Sequence, residues 1–370
     1  MTNPMFPCKF PVSLTRTASK AIAAMLMTAV VASCGSSPSE PQAKESETSA
    51  AVEETTAQAE ETDTIRCVFP FWFGFAPVHV ATNLGYFEEE GLTVTTAFDN
   101  DRANVLPAME RGDLECTMRT IGEHMSRPLT ATSKSTVIGT IDVSVGADGV
   151  VAGPDINSVE DLVGKVFAGE INHPGTVMTQ FALNEAGYSI EDVEIRLINT
   201  DDSSAVFEDP DVAAVATWEP MMSNIVDTTA KTGSKILLSS ANFKGLITDV
   251  IIVQSEDLAA DPEKYQKFLR GIYRAVDLYN EDPDAFLEAA APEYDVTPEE
   301  MAADLGGVQY TSYEDTLEFM GSAGSPGTLA TVFDSLNEIN VQLDLQDDLL
   351  SYDDHIDGSL LTDLFEGATR

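Results

Sequence analysis

Aromatic side chains are concentrated in one short segment of the sequence, where rings of this kind can form a wall for a ligand. Five of the seven residues from Phe69 to Phe75 are Phe or Trp. A single aromatic residue usually belongs to a hydrophobic core, but five around one turn exceed what one strand face can bury. We therefore predict that at least one ring faces a cleft as a stacking or cation–π wall, and Trp72 is the ring we select.

A second group of candidates combines charge with hydrogen-bonding capacity at positions 119–123. Arg119 belongs to a chain with only 20 Lys and Arg residues, and its planar guanidinium can hold a sulfonate or a carboxylate through parallel hydrogen bonds. A salt bridge across a hinge is the alternative role for this side chain. Thr120 and Glu123 accompany Arg119, and the hydroxyl of Thr120 is a possible donor to a ligand.

A helix start supplies a third candidate. Thr176 follows Pro174 and Gly175, where free backbone N–H groups and the Thr hydroxyl favour an anion or a carbonyl oxygen. The alternative is that Thr176 only caps the helix. We expect the preceding residue, His173, to be a neutral and exposed loop side chain.

Alternating strands and helices must position these residues. From Ile65 onward, short apolar runs alternate with helical segments that end at glycine, as Pro77 to Leu84 does before Gly85. Such units imply parallel strands joined by crossover helices. Ligands of open α/β sheets lie beyond the carboxyl ends of the strands, and the candidates follow predicted strand ends.

Two α/β series followed by a helical tail predict two lobes, between which the chain crosses twice. We place the crossings near Ala147 to Gly153 and near Asn242 to Asp249. The predicted segments are a signal peptide at 1–33, a lipidated Cys and tether at 34–62, a first lobe at 63–149, a second lobe at 150–245, and a return to the first lobe with C-terminal helices at 246–370.

The composition is acidic, with 62 Asp and Glu residues against 20 Lys and Arg residues and a formal net charge of −42. Nucleic acid is excluded as a partner because its phosphates would be repelled. The charge is spread along the chain and is typical of a solvated surface. Two cysteines without clustered histidines predict no metal site, and we expect no cofactor.

The N-terminus predicts export and a lipid anchor. Basic residues precede the apolar run Ala21 to Val31, which is too short to span a bilayer. The sequence then reads Val31-Ala32-Ser33-Cys34, which resembles the lipobox of bacterial lipoproteins. We predict cleavage before Cys34 and lipid on its thiol, which places the protein at the periplasmic or cell-surface face of a membrane. A plain signal peptide is the alternative.

Two cysteines remain in the folded part, Cys67 and Cys116, and both lie in predicted strands. Two buried thiols are the simpler interpretation. A disulfide is the alternative in an exported protein, and the spacing in sequence cannot show whether the two Cα atoms are close enough.

Four phrases of the sequence together resemble a known family. They are Gly85-Tyr86-Phe87 with Glu90-Gly91-Leu92, Leu106 to Leu114, Asp161-Leu162-Val163-Gly164-Lys165, and Trp218-Glu219-Pro220. Their order and spacing are similar to those of the periplasmic solute-binding proteins of nitrate, sulfonate, taurine and thiamine-pyrimidine-precursor ABC transporters.

The resemblance implies a type II periplasmic-binding-protein fold, with two α/β lobes, parallel-type sheets flanked by helices, and a helical C-terminal tail. It also implies a monomer without catalytic residues that closes on a small solute and delivers it to an ABC permease driven by an ATPase. In this family the Trp218 turn lies at the cleft, so Trp218 is expected to close over the ligand.

The same resemblance lets Glu219 accept a hydrogen bond from an amine, whereas a carboxylate that caps the following helix is the alternative. Asp249, at the return crossing, is expected either to bind the ligand or to serve the hinge. Aromatic rings, one Arg and several carboxylates suit a zwitterion, such as taurine, or an amine-bearing ring better than nitrate.

Two alternatives to a transport role remain on this fold. One is an enzyme like the thiamine-pyrimidine synthase, which would need a reactive His and iron ligands near the cleft. The other is a surface sensor for a solute.

Overall fold

The computed structural model describes residues 63–125, 135–171, 173–322, 325–342 and 346–368. The predicted signal peptide, the lipidated Cys34 and the tether lie outside these residues. Within the described part of the chain, no helix is long and apolar enough to cross a membrane.

A six-stranded sheet forms the first lobe, in the order β11-β4-β10-β3-β1-β2. Its strands are β1 (Asp63–Phe69), β2 (Leu92–Phe98), β3 (Cys116–Thr120), β4 (Ser135–Ser144), β10 (Thr248–Gln254) and β11 (Val308–Tyr310).

A five-stranded sheet forms the second lobe, in the order β7-β6-β8-β5-β9. Its strands are β5 (Asp148–Ala152), β6 (Val166–Ala168), β7 (Glu194–Arg196), β8 (Val212–Trp218) and β9 (Lys235–Ser239). A short antiparallel pair, β12 (Gly321–Ser322) and β13 (Ser325–Pro326), lies near the C-terminus.

Helices flank both sheets and make up most of the C-terminal part. They are α1 (Ala76–Asn83), α2 (Tyr86–Glu89), α3 (Arg102–Glu110), α4 (Ile121–Met125), α5 (Pro174–Glu185), α6 (Ser203–Phe207), α7 (Met221–Thr228), α8 (Ser255–Ala260), α9 (Pro262–Glu281), α10 (Pro283–Ala290), α11 (Pro298–Asp304), α12 (Tyr313–Met320) and α13 (Leu329–Gln342).

The two sheets with their helices confirm the predicted α/β class. The chain leaves the first sheet after Ser144 and enters the second at Asp148, then leaves the second at Ser239 and returns at Thr248. Pairing is parallel where helices connect the strands, as in β1–β2 and β6–β8. The strands that follow each crossing, β5 and β10, pair antiparallel with their neighbours because no crossover helix precedes them. Both sheets are therefore mixed.

Strands β5 and β10 lie inside their sheets and are buried along their whole length, which agrees with their largely apolar sequences. Every residue of β10 is buried, and the amphipathic helix α9 packs its apolar face into the first lobe. Gly271 in α9 permits this packing, because a Cβ there would lie 2.5 Å from the ring of Phe87. In the second lobe, Phe167 and Leu183 are fully buried members of a hydrophobic cluster.

A disulfide joins the two cysteines of the folded part. Cys67 on β1 and Cys116 on β3 are directly paired in the parallel register, with their Cα atoms 4.4 Å apart. The structure therefore selects the disulfide over the simpler prediction of two thiols. The bond closes a loop of 49 residues that contains α1, α2, β2 and α3.

Removal of this disulfide is expected to destabilise the protein by about 4 kcal/mol, because the unfolded chain regains the entropy of a loop of this length. The measurement is urea unfolding with and without reductant. A Cys67→Ala/Cys116→Ala double variant is the control, since it lacks both cysteines of the disulfide and should unfold at the same midpoint in both buffers. An equal effect of reductant on the wild type and on this variant would contradict the assignment.

Candidate functional site

A narrow cavity lies between the two sheets and is lined from both lobes. Its volume is about 30 Å³. This is room for one or two water molecules. The residues of the described part of the chain that line it are Pro70, Trp72, Phe75, Thr120, Glu123, Asp148, Pro174, Trp218 and Asp249. Five of the residues predicted from the sequence are among them: Trp72, Thr120, Glu123, Trp218 and Asp249.

A row of polar residues crosses the first sheet beside the cavity. Thr120 on β3 pairs with Asp249 on β10, and Asp249 pairs with Asp142 on β4. Residues directly opposite in antiparallel strands lie on the same face, so the register brings the three side chains together. The carboxyl groups of Asp142 and Asp249 are hydrogen-bonded to each other.

Trp72 is held against this row by its indole nitrogen. Nε1 of Trp72 donates to the Asp142 carboxyl, at 3.3 Å from Oδ2 and 3.4 Å from Oδ1. The hydroxyl of Tyr294 donates to the Trp72 carbonyl oxygen at 3.0 Å. Gly74 makes the contact possible, since a Cβ at that position would lie 2.2 Å from both Asp142 Oδ2 and Trp72 Nε1.

The second sheet contributes a cross-strand pair. Asp148, the first residue of β5, lies directly opposite Trp218, the last residue of β8. The Trp218 indole stacks on the imidazole of His173, with the ring centroids 5.1 Å apart and the planes 7° from parallel. His173 is fully buried, and its Nδ1 accepts from the N–H of Gly175 at 2.9 Å. The prediction of an exposed loop histidine was therefore wrong, because this side chain caps α5 and supports the indole.

Thr120 and Glu123 are fixed by reciprocal hydrogen bonds at the start of α4. The Thr120 N–H donates to Glu123 Oε2 at 3.2 Å, and the Glu123 N–H donates to Thr120 Oγ1 at 3.0 Å. This is a capping box. It holds the Glu123 carboxylate at the cavity wall.

The acidic groups of the site shift one another's pKa. Burial raises the pKa of Asp142 to about 8, and the charge of Asp148 adds to the rise, although the Trp72 hydrogen bond opposes it. Burial also raises the pKa of Asp249 well above its usual value, and Asp142, Asp148 and Glu123 reinforce that rise. The Asp142–Asp249 pair therefore holds a proton at neutral pH.

Three other predicted residues lie outside the cavity lining. Arg119 is buried within β3, next to Thr120, and consecutive strand residues point to opposite faces. The Thr176 hydroxyl donates to the carbonyl oxygen of Glu170 at 2.7 Å, inside the first turn of α5. Glu219 accepts from the N–H and the hydroxyl of Ser223, at 3.0 and 2.7 Å, which corresponds to the capping alternative.

The five aromatic residues at 69–75 divide between core and cavity. Phe75 and Trp72 line the cavity. Phe71 and Phe73 both pack edge-on against Tyr294, at 5.2 and 5.0 Å between ring centroids, and Phe69 is fully buried.

Sequence reasoning missed two acidic residues of the site, Asp142 and Asp148. A carboxylate inside the apolar run of β4 was the available signal for Asp142, because charges are rarely buried without a role. Asp148 lies within the predicted crossing between the lobes, near Ala147 to Gly153, and is not among the predicted site residues.

A hydrogen bond bridges the two lobes at the edge of the cleft. Nδ2 of Asn100, just after β2, donates to both carboxylate oxygens of Asp201, each at 3.1 Å. Oδ1 of Asn100 accepts from the Phe71 N–H at 2.9 Å. The amide of Asn100 thus ties the second lobe to the turn that carries Trp72.

Comparison with known sequences identifies relatives. The family described as NMT1/THI5 like matches residues 72–286. A Brucella abortus (strain 2308) protein assigned as a binding protein is 22% identical over 214 residues. The match covers 57% of this chain and 65% of that relative, so the chain spans less than two thirds of the relative's length.

Solved structures share the fold. The periplasmic nitrate-binding protein of Synechocystis PCC 6803 superposes with a TM-score of 0.66 at 11% identity, over 83% of this chain and 89% of that one. The periplasmic aliphatic sulphonate-binding protein of Escherichia coli gives 0.63 at 14% identity, over 81% and 99%. The chain therefore has the fold of periplasmic solute-binding proteins.

The buried carboxyl pair predicts a specific dependence of stability on pH. The folded protein keeps a proton on Asp142 up to about pH 8, whereas the unfolded chain loses it near the ordinary value of 3.8. This contribution to stability is complete below that value and is lost as the pH rises through about 8. The free energy of unfolding should fall by up to about 1.4 kcal/mol per pH unit within this window.

Urea unfolding of solute-free protein between about pH 5 and 8 measures this slope. Asp142→Asn should flatten it relative to the wild type, whereas Asp227→Asn, at an exposed position on α7, should leave it unchanged. Parallel curves for the wild type and Asp142→Asn would contradict the assignment.

Proposed function

We propose that this chain, which belongs to the NMT1/THI5-like family, is the lipid-anchored solute-binding component of an ABC importer. In this proposal it captures a small polar solute containing nitrogen or sulfur, such as a sulfonate, a pyrimidine or an amine. The two lobes enclose the solute and deliver it to the permease.

The observation that carries the proposal is a cavity with one tryptophan from each lobe. Trp72 belongs to the first lobe and Trp218 to the second, and polar groups from both lobes surround them. A solute between the two indoles would contact both lobes at once. Such a solute stabilises the closed arrangement over an open one, which is how a two-lobed receptor reports that it is loaded.

The narrowness of the cavity supports a mechanism of opening and closing. With a volume of about 30 Å³, the cavity is too small to hold a sulfonate or a pyrimidine unless the lobes part. The Asn100–Asp201 hydrogen bond must break for that to happen and re-forms on closure.

A binding role without catalysis is part of the proposal. Both solved structures named above are binding proteins.

In this proposal, the lipid on Cys34 holds the receptor at the membrane. An anchored receptor stays near its permease at a high effective concentration, so the anchor favours delivery of the solute.

Solute binding should quench or shift the intrinsic fluorescence of the wild-type protein, because both of its tryptophans line the cavity. The measurement is a titration with taurine, alkylsulfonates, pyrimidines, amines and nitrate, together with the thermal midpoint. A solute present at about 100 times its Kd should stabilise the fold by about 2.7 kcal/mol. No response to any of these solutes would contradict the proposal.

Two variants test whether the solute that causes this response binds in the cavity between the lobes. Trp218→Leu should abolish it, because it removes one wall of the cavity. Asn100 lies outside the cavity lining. Asn100→Ala should weaken binding of the same solute two- to tenfold, because the loss of a hydrogen bond worth about 0.5–1.5 kcal/mol lowers the fraction of protein with closed lobes. Unchanged affinity in both variants would place the solute elsewhere.

Replacement of Cys34 by Ala should release the protein from the membrane, because the thiol that accepts the lipid is absent. Fractionation of cells into membrane and soluble parts measures this outcome, and labelling with a fatty acid should be lost with it. Cys8→Ala is the matched control and should stay with the membrane. Membrane association of Cys34→Ala equal to that of the wild type would contradict the anchor.

A further inference from the structure

We infer that Glu170 is a positioning residue of the solute site, which joins the contact between the two lobes to the structure that supports Trp218. Glu170 is not among the described residues that line the cavity. The inference rests on the proposed function, because it assumes that a solute is bound between the lobes. It assigns a role in binding to a residue outside the cavity.

The carboxylate of Glu170 holds the turn that carries Asp201. Thr200 begins this turn (Thr200–Asp202), and its N–H and its hydroxyl both donate to Glu170 Oε1, at 3.3 and 2.9 Å. Thr200 is buried, so these hydrogen bonds lie in surroundings where they are strong. Asp201, the next residue, accepts from the Asn100 amide of the first lobe. Glu170 therefore fixes the second-lobe side of the contact between the lobes.

A second contact ties the same turn to the strand of Trp218. The hydroxyl groups of Ser203, directly after the turn, and of Thr217 are 3.2 Å apart, and both residues are fully buried. Thr217 directly precedes Trp218 in β8. The turn is thus held between Glu170 and the end of the strand that carries one wall of the cavity.

The backbone of Glu170 holds the group that supports the Trp218 indole. Its carbonyl oxygen accepts from the His173 N–H at 3.2 Å and from the Thr176 hydroxyl at 2.7 Å. These two bonds fix the loop before α5, and the imidazole of His173 stacks on the indole. The side chain and the carbonyl group of one residue therefore serve the contact between the lobes and the support of the cavity wall.

The helix that follows this loop is packed directly on the second sheet. A Cβ on Gly175 would lie 2.5 Å from the Gly149 carbonyl oxygen and 2.9 Å from the Cβ of Ala216. The first turn of α5 is therefore in contact with β5 and β8. Packing of this density transmits a displacement rather than absorbing it, so a shift of the Glu170 loop reaches the end of the strand that carries Trp218.

At its first-lobe end, the link reaches the other indole. Oδ1 of Asn100 accepts from the N–H of Phe71, the residue before Trp72, at 2.9 Å. Hydrogen bonds therefore connect the Trp72 turn, through Asn100 and Glu170, to the support of Trp218. Parting of the lobes breaks this link at Asn100, so we expect the Trp218 indole to be held most firmly when the lobes are closed.

The test is near-ultraviolet circular dichroism of the solute-free protein in a Trp72→Phe background, whose only tryptophan is Trp218. This signal reports how firmly the indole is held. Glu170→Ala should weaken the Trp218 band, whereas Glu170→Gln should retain it, because the amide oxygen can still accept from Thr200. Asn100→Ala, on the other lobe, should also weaken the band, and the Asn100→Ala/Glu170→Ala double variant should lose less than the sum of the two.

Val193→Ala is the matched control for a loss of stability. Val193 belongs to the buried hydrophobic cluster of the second lobe, so this variant should lower the thermal midpoint and leave the Trp218 band unchanged. An unchanged band in Glu170→Ala, an equal loss in Val193→Ala, or strictly additive losses in the double variant would each overturn the inference. These three results leave the proposed function intact, since no solute is involved.

Isothermal titration of protein with native Trp72 tests the role in binding. The probes are taurine, methanesulfonate, cytosine, methylammonium and nitrate. A probe that binds the wild type should bind Glu170→Ala roughly tenfold more weakly and Glu170→Gln within about twofold of the wild type. Equal affinity for the wild type and Glu170→Ala overturns the inference alone. Absence of binding by all five probes contradicts the proposed function, and the role of Glu170 in binding with it, whatever the dichroism shows.

Discussion

A carboxyl group buried in a protein must be hydrogen-bonded or neutralised. At the wall of the cavity this requirement applies to Asp142, and the groups around it meet the requirement. The Trp72 indole nitrogen and the Asp249 carboxyl group satisfy it. The turn that brings Trp72 into place needs glycine at position 74, because any side chain there would collide with the contact. The Tyr294 hydroxyl holds the backbone of the same turn. The position of one cavity wall therefore follows from the burial of a single carboxyl group.

The fold and the residues that line the cavity say different things about this protein's function. The fold is shared with proteins that bind nitrate and aliphatic sulphonate, whereas function resides in the particular site that a fold carries. Here the carboxyl groups that face the cavity are buried, unlike the many surface acids that give the chain its net charge of −42. Surface charge acts on solubility, whereas these buried carboxyl groups belong to the cavity lining itself.

Much of the site was predictable because strand ends are visible in the sequence. Trp72, Thr120, Trp218 and Asp249 lie at or beside the ends of strands, where α/β sheets place their ligands. Asp142 escaped prediction because it lies within a strand, and its carboxyl group reaches the site only through its pairing with β10. Arg119, Thr176 and Glu219 were also predicted as site residues, but they lie outside the cavity lining for a local reason. Each is close to the cleft in sequence, but strand alternation or a helix-terminal hydrogen bond directs the side chain elsewhere.

The sequence by itself determined the alternation of strands and helices, the division into two lobes and the family resemblance, because these depend on local periodicity and on short phrases. The tertiary structure decided which strands pair and in what register. That register places Asp249 beside Asp142, Asp148 beside Trp218, and Cys67 beside Cys116. Each of these pairs joins residues that are far apart along the chain. Local periodicity shows which face of a strand is buried but not which residue lies opposite, so only the folded chain brings these groups together.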